Sequence, residues 1–259
     1  MIQFEAIKNF YPAYLSGNSA FYKYILKEYI LLMILDNLSN STFTGSISFI
    51  GGTSLRLTRG IDRFSEDLDF DCKNFSELDF IRLTENVVKF LKRNGLNVEV
   101  RENKKKLKAF RSNLIFPQLL FNLGLSGHRD ERFMIKLECQ DQLFEYKSQI
   151  INIKGCGYFF PMPVPPLSVL CSMKIADMLD RQKGRDFYDV IFLLSQTKPD
   201  FGYLTEKMGI SGLEQLKLKI EEVVEHVNLN GKVRDFEHLL FDKENAKKIL
   251  RIKEFISEL

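Results

Sequence analysis

Asp67, Asp69 and Asp71 alternate through the segment DLDFDC, so their side chains leave one face of a strand. Carboxylates so placed repel one another unless a cation sits between them, and hard oxygen ligands favour Mg2+ (or Mn2+). Upstream, Gly51 and Gly52 separate the β-type run SISFI from the helical TSLRLTR. Backbone N–H groups at such a helix start can cradle a phosphate, with no Cβ in the way. A glycine step feeding an Asp-x-Asp strand is an arrangement for a nucleoside triphosphate. The Asp-x-Asp pattern alone would equally describe a solvated strand face.

Two further segments carry chemistry. In FMIKLECQ, Met134, Lys136, Glu138 and Gln140 share one strand face, and Phe133, Ile135, Leu137 and Cys139 share the other. The polar face either meets solvent or turns Glu138 into the same cleft as a third carboxylate for metal-assisted phosphoryl chemistry. In LSVLCSMKIADMLDRQKGRDFYDVIFLL, Lys174 and Arg181 lie seven apart on one helix face. Gly184 is expected to stop that helix, and Asp186 to cap the next. Lys174 sits among Val169, Leu170, Met173 and Ile175, where an ammonium is costly without an anionic partner. A triphosphate is one such partner; Asp177 or Asp186 is the structural alternative.

The elements that must position these groups follow from pattern. Ala20 to Leu38 is apolar on most faces and reads as a buried helix. A helix capped by Ser76 runs to Lys92, with Leu78, Ile81, Val88 and Leu91 inward and Gly95 as the stop. Strands are expected around Val98 and Leu114, over Ile135 to Cys139, and over Ile150 to Ile153. The run PMPVPPLSVL, with Pro161, Pro163, Pro165 and Pro166, marks a boundary, and everything beyond it reads as helix. The expected class is α+β: residues 1–160 form a mixed-sheet domain and 161–259 a helical bundle.

The 259 residues are 45% hydrophobic and 27% charged with net charge +3, which excludes a disordered chain. The most apolar stretch, Tyr29 to Leu35, falls short of the ~20 residues of a membrane span. No secretory pattern opens the sequence, so a cytoplasmic location away from membrane is expected. Cys72, Cys139, Cys156 and Cys171 show no CxxC spacing, which argues against a zinc knuckle or disulfide framework. Arg101, Lys104, Lys105, Lys106, Lys108 and Arg111 form a basic run between two strands. It is either a solvated turn or a patch that contacts the phosphates of a polyanion.

Two blocks together, GGTSLR with RFSEDLDFD and KIADMLDRQKGRDFYDVIFLL, resemble the AbiEii nucleotidyltransferases, toxins of type IV toxin–antitoxin and abortive-infection systems. The likeness spans Ile47 to Leu194. It implies a polymerase-β-like nucleotidyltransferase domain with an added helical bundle. By position, it implies that Gly51, Gly52 and Ser54 hold nucleotide phosphates and that Asp67 and Asp69 bind metal, with Glu138 as a third carboxylate. Lys174, with Arg181 and Arg185, would grip the nucleotide, and Asp186 would be a second acid needed for activity. The segment from Thr58 to Arg63 is expected to be irregular. The implied reaction transfers NMP from an NTP to an acceptor hydroxyl, with RNA such as a tRNA 3′ end favoured over a protein hydroxyl, and a cognate antitoxin as partner. A metal-dependent nuclease is the weaker rival, because nucleases of the common core carry Glu-x-Lys where this chain has Lys136-x-Glu138. A non-catalytic nucleotide- or RNA-binding relative is the other alternative.

Overall fold

The computed structural model describes residues 2–102 and 109–259. Lys104, Lys105, Lys106 and Lys108 of the basic run lie outside these residues. The chain divides into two compact units. The first runs to Arg59 and adds Phe64–Leu143 and Ser148–Val164; the second takes Gly60–Arg63, Phe144–Lys147 and Pro165–Leu259.

In the first unit the order is α1 (Phe4–Lys8), α2 (Ala13–Ser16), α3 (Tyr22–Ser39), β1 (Ile47–Ile50), α4 (Gly51–Arg59), β2 (Leu68–Cys72) and α5 (Glu77–Arg93). There follow β3 (Glu99–Glu102), β4 (Ala109–Ile115), α6 (Leu119–Asn122), β5 (Met134–Gln140), β6 (Gln149–Gly155) and β7 (Tyr158–Val164). A mixed sheet of order β1-β2-β5-β4-β3 is antiparallel except where β2 lies parallel to β5. β6 and β7 form a separate antiparallel ribbon. The core is aromatic and aliphatic: Phe49, Phe70, Ile135, Leu137 and Cys139 on the sheet, Ile25, Leu26, Ile30, Ile34 and Leu35 on α3.

α3 is buried on most faces, as its sequence suggests, and its inward charges are paired. Lys27 reaches Glu66 at 2.7 Å, and Glu28 meets Arg56 at 2.8 Å and the Tyr11 hydroxyl at 3.1 Å. α5 has the expected Ser76 cap, closed into a capping box by Asp79, and Gly95 at φ +78° just past its end. Its inward face differs from the expected one. Phe80, Leu83, Thr84, Val87 and Leu91 are buried, while Leu78 is 54% exposed and Ile81 38%. The row through Leu78, Ile81 and Val88 is broken by Glu85 and ends at Lys92, whereas the row through Phe80, Leu83, Val87 and Leu91 is uninterrupted apolar.

The proline run also differs. Pro161 and Pro163 lie within β7, opposite Asn152 and Ile150 of β6, so strand continues to Val164 beyond the boundary read at 160/161. Alternate prolines leave their missing N–H groups on one edge of the strand, which a two-stranded ribbon tolerates. α4 extends through Thr58 and Arg59, and the irregular segment begins at Gly60, whose φ is +72°.

The second unit holds α7 (Leu167–Arg181), α8 (Gly184–Leu194), α9 (Phe201–Met208), α10 (Leu213–His226), α11 (Leu229–Phe236) and α12 (Ile252–Ser257). Gln182, at φ +51°, ends α7; Gly184, expected as the stop, is the first residue of α8. A Cβ at Gly184 would collide with the carbonyl of Lys232 and the ring of Phe236, so glycine is required by the close approach of α11. The two short segments are tied in by specific contacts. Asp62 accepts from the Tyr188 hydroxyl at 2.7 Å and from Asn245 at 2.8 Å, and the Phe144 ring meets Tyr203 edge-on at 5.1 Å. Among the described residues no helix is long and apolar enough to cross a membrane.

Candidate active site

The strand β1 hands over to α4 at Gly51, whose φ of +78° bends the chain sharply. Ile50 pairs with Asp69 of β2, so a Cβ at Gly51 would strike the Asp69 carboxylate. The helix start and the Asp-x-Asp segment are therefore in direct apposition. Asp67 precedes β2 by one residue and is tied twice. Its carbonyl accepts from the Thr53 hydroxyl of α4, and its carboxylate accepts from the Lys136 backbone N–H of β5 at 3.3 Å.

Parallel pairing of β2 with β5 puts Glu138 directly beside Asp69. The Lys136 ammonium sits among the three carboxylates, 3.4 Å from Asp67, 3.9 Å from Asp69 and 3.4 Å from Glu138. Burial lowers the tendency of Lys136 to stay charged, yet Asp69, Asp67 and Glu138 outweigh it and raise its pKa. Glu138 also faces Arg111 of β4, with contacts of 2.6 and 2.9 Å. Burial pushes the Glu138 carboxyl up, but Arg111 and Lys136 together hold it below the ordinary range. Arg111, read as part of a basic patch, is thus engaged with Glu138.

The other residues expected here separate by burial. Gly51 and Gly52 remain part-exposed. Ser54, expected to hold phosphate, lies on the buried face of α4, and its hydroxyl has no hydrogen-bond partner among the described residues. Asp71, third of the alternating aspartates, is buried and accepts from the Gln142 N–H at 2.8 Å. Among the described residues no three His, Cys, Asp or Glu side chains form a ready metal site. Asp67 and Asp69 are the partly exposed pair, and their hard oxygens already surround a cationic group. The donor set fits a divalent cation as two carboxylates, with Glu138 engaged by Arg111.

In the second unit Lys174 is 4% exposed and has anionic partners of its own. Its ammonium lies 3.0 Å from Asp189 of α8 and 3.9 Å from Asp177. Asp189 is fully buried and receives Arg63 through two bonds of 2.7 Å. Burial alone would raise the Asp189 pKa, but Arg63 and then Lys174 bring it down to about 2. Asp189 was not singled out in the sequence; its place three residues after Asp186 in RDFYD puts both acids on one turn of α8. Asp186 accepts from Arg181 at 2.9 and 3.0 Å and from the Lys183 N–H at 3.1 Å, so it caps α8 as expected. Arg181 also reaches Asp177 at 2.8 Å, and Arg185 is half-buried at the start of α8.

Solved structures that resemble this fold include the following. The structure of JHP933 from Helicobacter pylori aligns with 91% of this chain and 92% of its own, at 20% identity and TM-score 0.54. A putative nucleotidyltransferase from H. pylori covers 90% and 94%, at 20% identity and TM-score 0.57. MenT4, a nucleotidyltransferase toxin from Mycobacterium tuberculosis H37Rv, covers 100% and 91%, at 17% identity and TM-score 0.63. No protein among those with curated functions matches the chain. A sequence model of the family described as nucleotidyl transferase AbiEii toxin, type IV TA system, matches residues 33–252. With its glycine step, its paired aspartates and a match over most of its length, the chain belongs to the AbiEii family of type IV nucleotidyltransferase toxins.

Proposed function

We propose that this toxin transfers NMP from an NTP to a hydroxyl of an RNA, such as a tRNA 3′ end, in a reaction dependent on Mg2+ or Mn2+. The carrying observation is the Lys136 ammonium held among Asp67, Asp69 and Glu138 next to the Gly51 helix start. In this reading Asp67 and Asp69 hold the metal. When bound, a divalent ion lowers the pKa of the acceptor hydroxyl and neutralises charge developing on the phosphates. The N–H groups at the start of α4 bind phosphate oxygens. The acceptor oxygen bonds to the α-phosphorus, the bond to the β-phosphate breaks, and pyrophosphate leaves while the hydroxyl proton passes to solvent. Exposed Arg101 supports an RNA acceptor; a cognate antitoxin is the regulatory partner.

The test is incubation of the protein with each α-labelled NTP, Mg2+ and total RNA. Label in RNA, lost with chelator and reduced at least ~10²-fold by Asp69→Asn in a well-folded variant, is the expected result. Shortened RNA, label on protein, or no transfer at all would each overturn the reading.

A further inference from the structure

Three carboxylates converge on a position that a side chain of the same chain already fills. Lys136 and Glu138 leave the same face of β5, and the Lys136 backbone is pinned to Asp67 by its own N–H. Its four-carbon stem ends at the charged centre, and about a third of the side chain remains exposed, so the ammonium can withdraw by rotamer changes alone. Glu138 keeps Arg111 when it does so. Of the five charges, Asp67, Asp69, Glu138, Lys136 and Arg111, one negative charge stands in excess. Exchange of the ammonium for a divalent cation brings the group to neutrality.

We infer that Lys136 is a built-in counter-ion that occupies the metal position of the nucleotide-free enzyme and yields it only when a metal arrives with a polyphosphate. The inference rests on the metal-dependent reading above and adds to it a gate. A bare cation must evict Lys136 into water, which offers the ammonium no anion. A metal that arrives with a nucleoside triphosphate brings phosphate oxygens to receive it. Lys136 is therefore a positioning residue that makes metal and nucleotide binding cooperative, and it keeps Asp67 and Asp69 from repelling each other beforehand.

The experiment measures Mn2+ binding to the metal-free full chain by electron paramagnetic resonance of the free ion, with and without a non-hydrolysable NTP analogue, the Mn2+ that the analogue binds in protein-free solution being subtracted. Lys136→Gln and Lys136→Met are expected to bind Mn2+ alone at least ~10-fold tighter than wild type, the scale for removing one close cation from a part-exposed site. Both variants should lose most of the enhancement that the analogue confers on wild type. Their metal-free melting points should fall and be restored by Mn2+. Lys136→Arg, which keeps the charge, should behave as wild type in affinity and cooperativity. Unchanged Mn2+ affinity in a folded Gln or Met variant overturns the gate, as does an Arg variant that behaves like Gln. Wild type that takes up no Mn2+ even with saturating analogue overturns the metal-dependent reading itself, a result distinct from either of these.

Discussion

Asp189 carries more of the second unit's charge balance than any residue singled out from sequence. It is buried completely between Arg63 and Lys174, so Asp189→Asn would leave two cations without their common anion. A loss of roughly 3–5 kcal/mol in urea unfolding at neutral pH is expected, the scale for breaking a buried pair. Because its carboxyl titrates at about 2 when folded and near the ordinary carboxylate value when unfolded, its contribution is complete above the unfolded pKa. That contribution fades as pH falls through about 4 towards 2, and Asp189→Asn should lack this acid limb in urea midpoints taken down the same range. Lys174→Met should cost less, since both bonds from Arg63 remain. Residue types were legible at this scale. Lys174 stood out as a lysine needing an anion, and Glu138 as a carboxylate on a polar strand face whose neighbour, Asp69, only the parallel pairing of β2 with β5 supplies. The anion itself was not, because Asp189 lies on the next helix and the pairing is set by how α7 and α8 pack.

Helix α5 and the joint before α4 show what periodicity can and cannot specify. Leu83 is fully buried and Leu78 largely exposed, so Leu83→Ala should cost about 2–5 kcal/mol and Leu78→Ala less than about 0.5. Equal losses in chemical denaturation would return the inward face to the Leu78 row. The existence, start and stop of α5 were readable because cap and stop chemistry is local. Its face was not, since two apolar rows compete and the packing against α3 and β4 decides between them. Gly51→Ala makes a sharper test of the joint. The substitution places a Cβ against the Asp69 carboxylate at a left-handed φ, whereas Gly60→Ala meets the same backbone cost with nothing near its Cβ. Gly60→Ala should lose about 1–2 kcal/mol of stability and Gly51→Ala at least as much, but only Gly51→Ala should also lose transferase activity in the labelled-NTP assay.

At the scale of the molecule, a mixed sheet followed by helices was legible from the order of patterns, and the proline run marked roughly where one gives way to the other. What no local pattern announced is that the second unit reclaims Gly60–Arg63 and Phe144–Lys147 from within the first part of the chain. A fragment of residues 165–259 therefore lacks Arg63 for Asp189, Asp62 for Tyr188 and Asn245, and Phe144 for Tyr203. Expressed alone, it should keep helical far-UV dichroism but show weak near-UV signal and a broad melt, as expected when packing is lost and secondary structure survives. A sharp cooperative transition would mean that the helices carry their own core.

The one parallel strand pair in the sheet has a consequence in time. The Lys136 N–H that holds Asp67 lies 69 residues further along the chain. At synthesis rates of roughly 5–20 residues per second, β2 waits roughly 3–14 s for β5. Until then the aspartates have β1 on one side but neither β5 on the other nor their lysine, and a chain still on the ribosome carries an unassembled site. Arrested nascent chains of graded length, probed by brief proteolysis, should show β2 becoming protected only after Gln140 has emerged. A toxin wired in this way cannot act on the cell that makes it before most of its sheet domain has been translated.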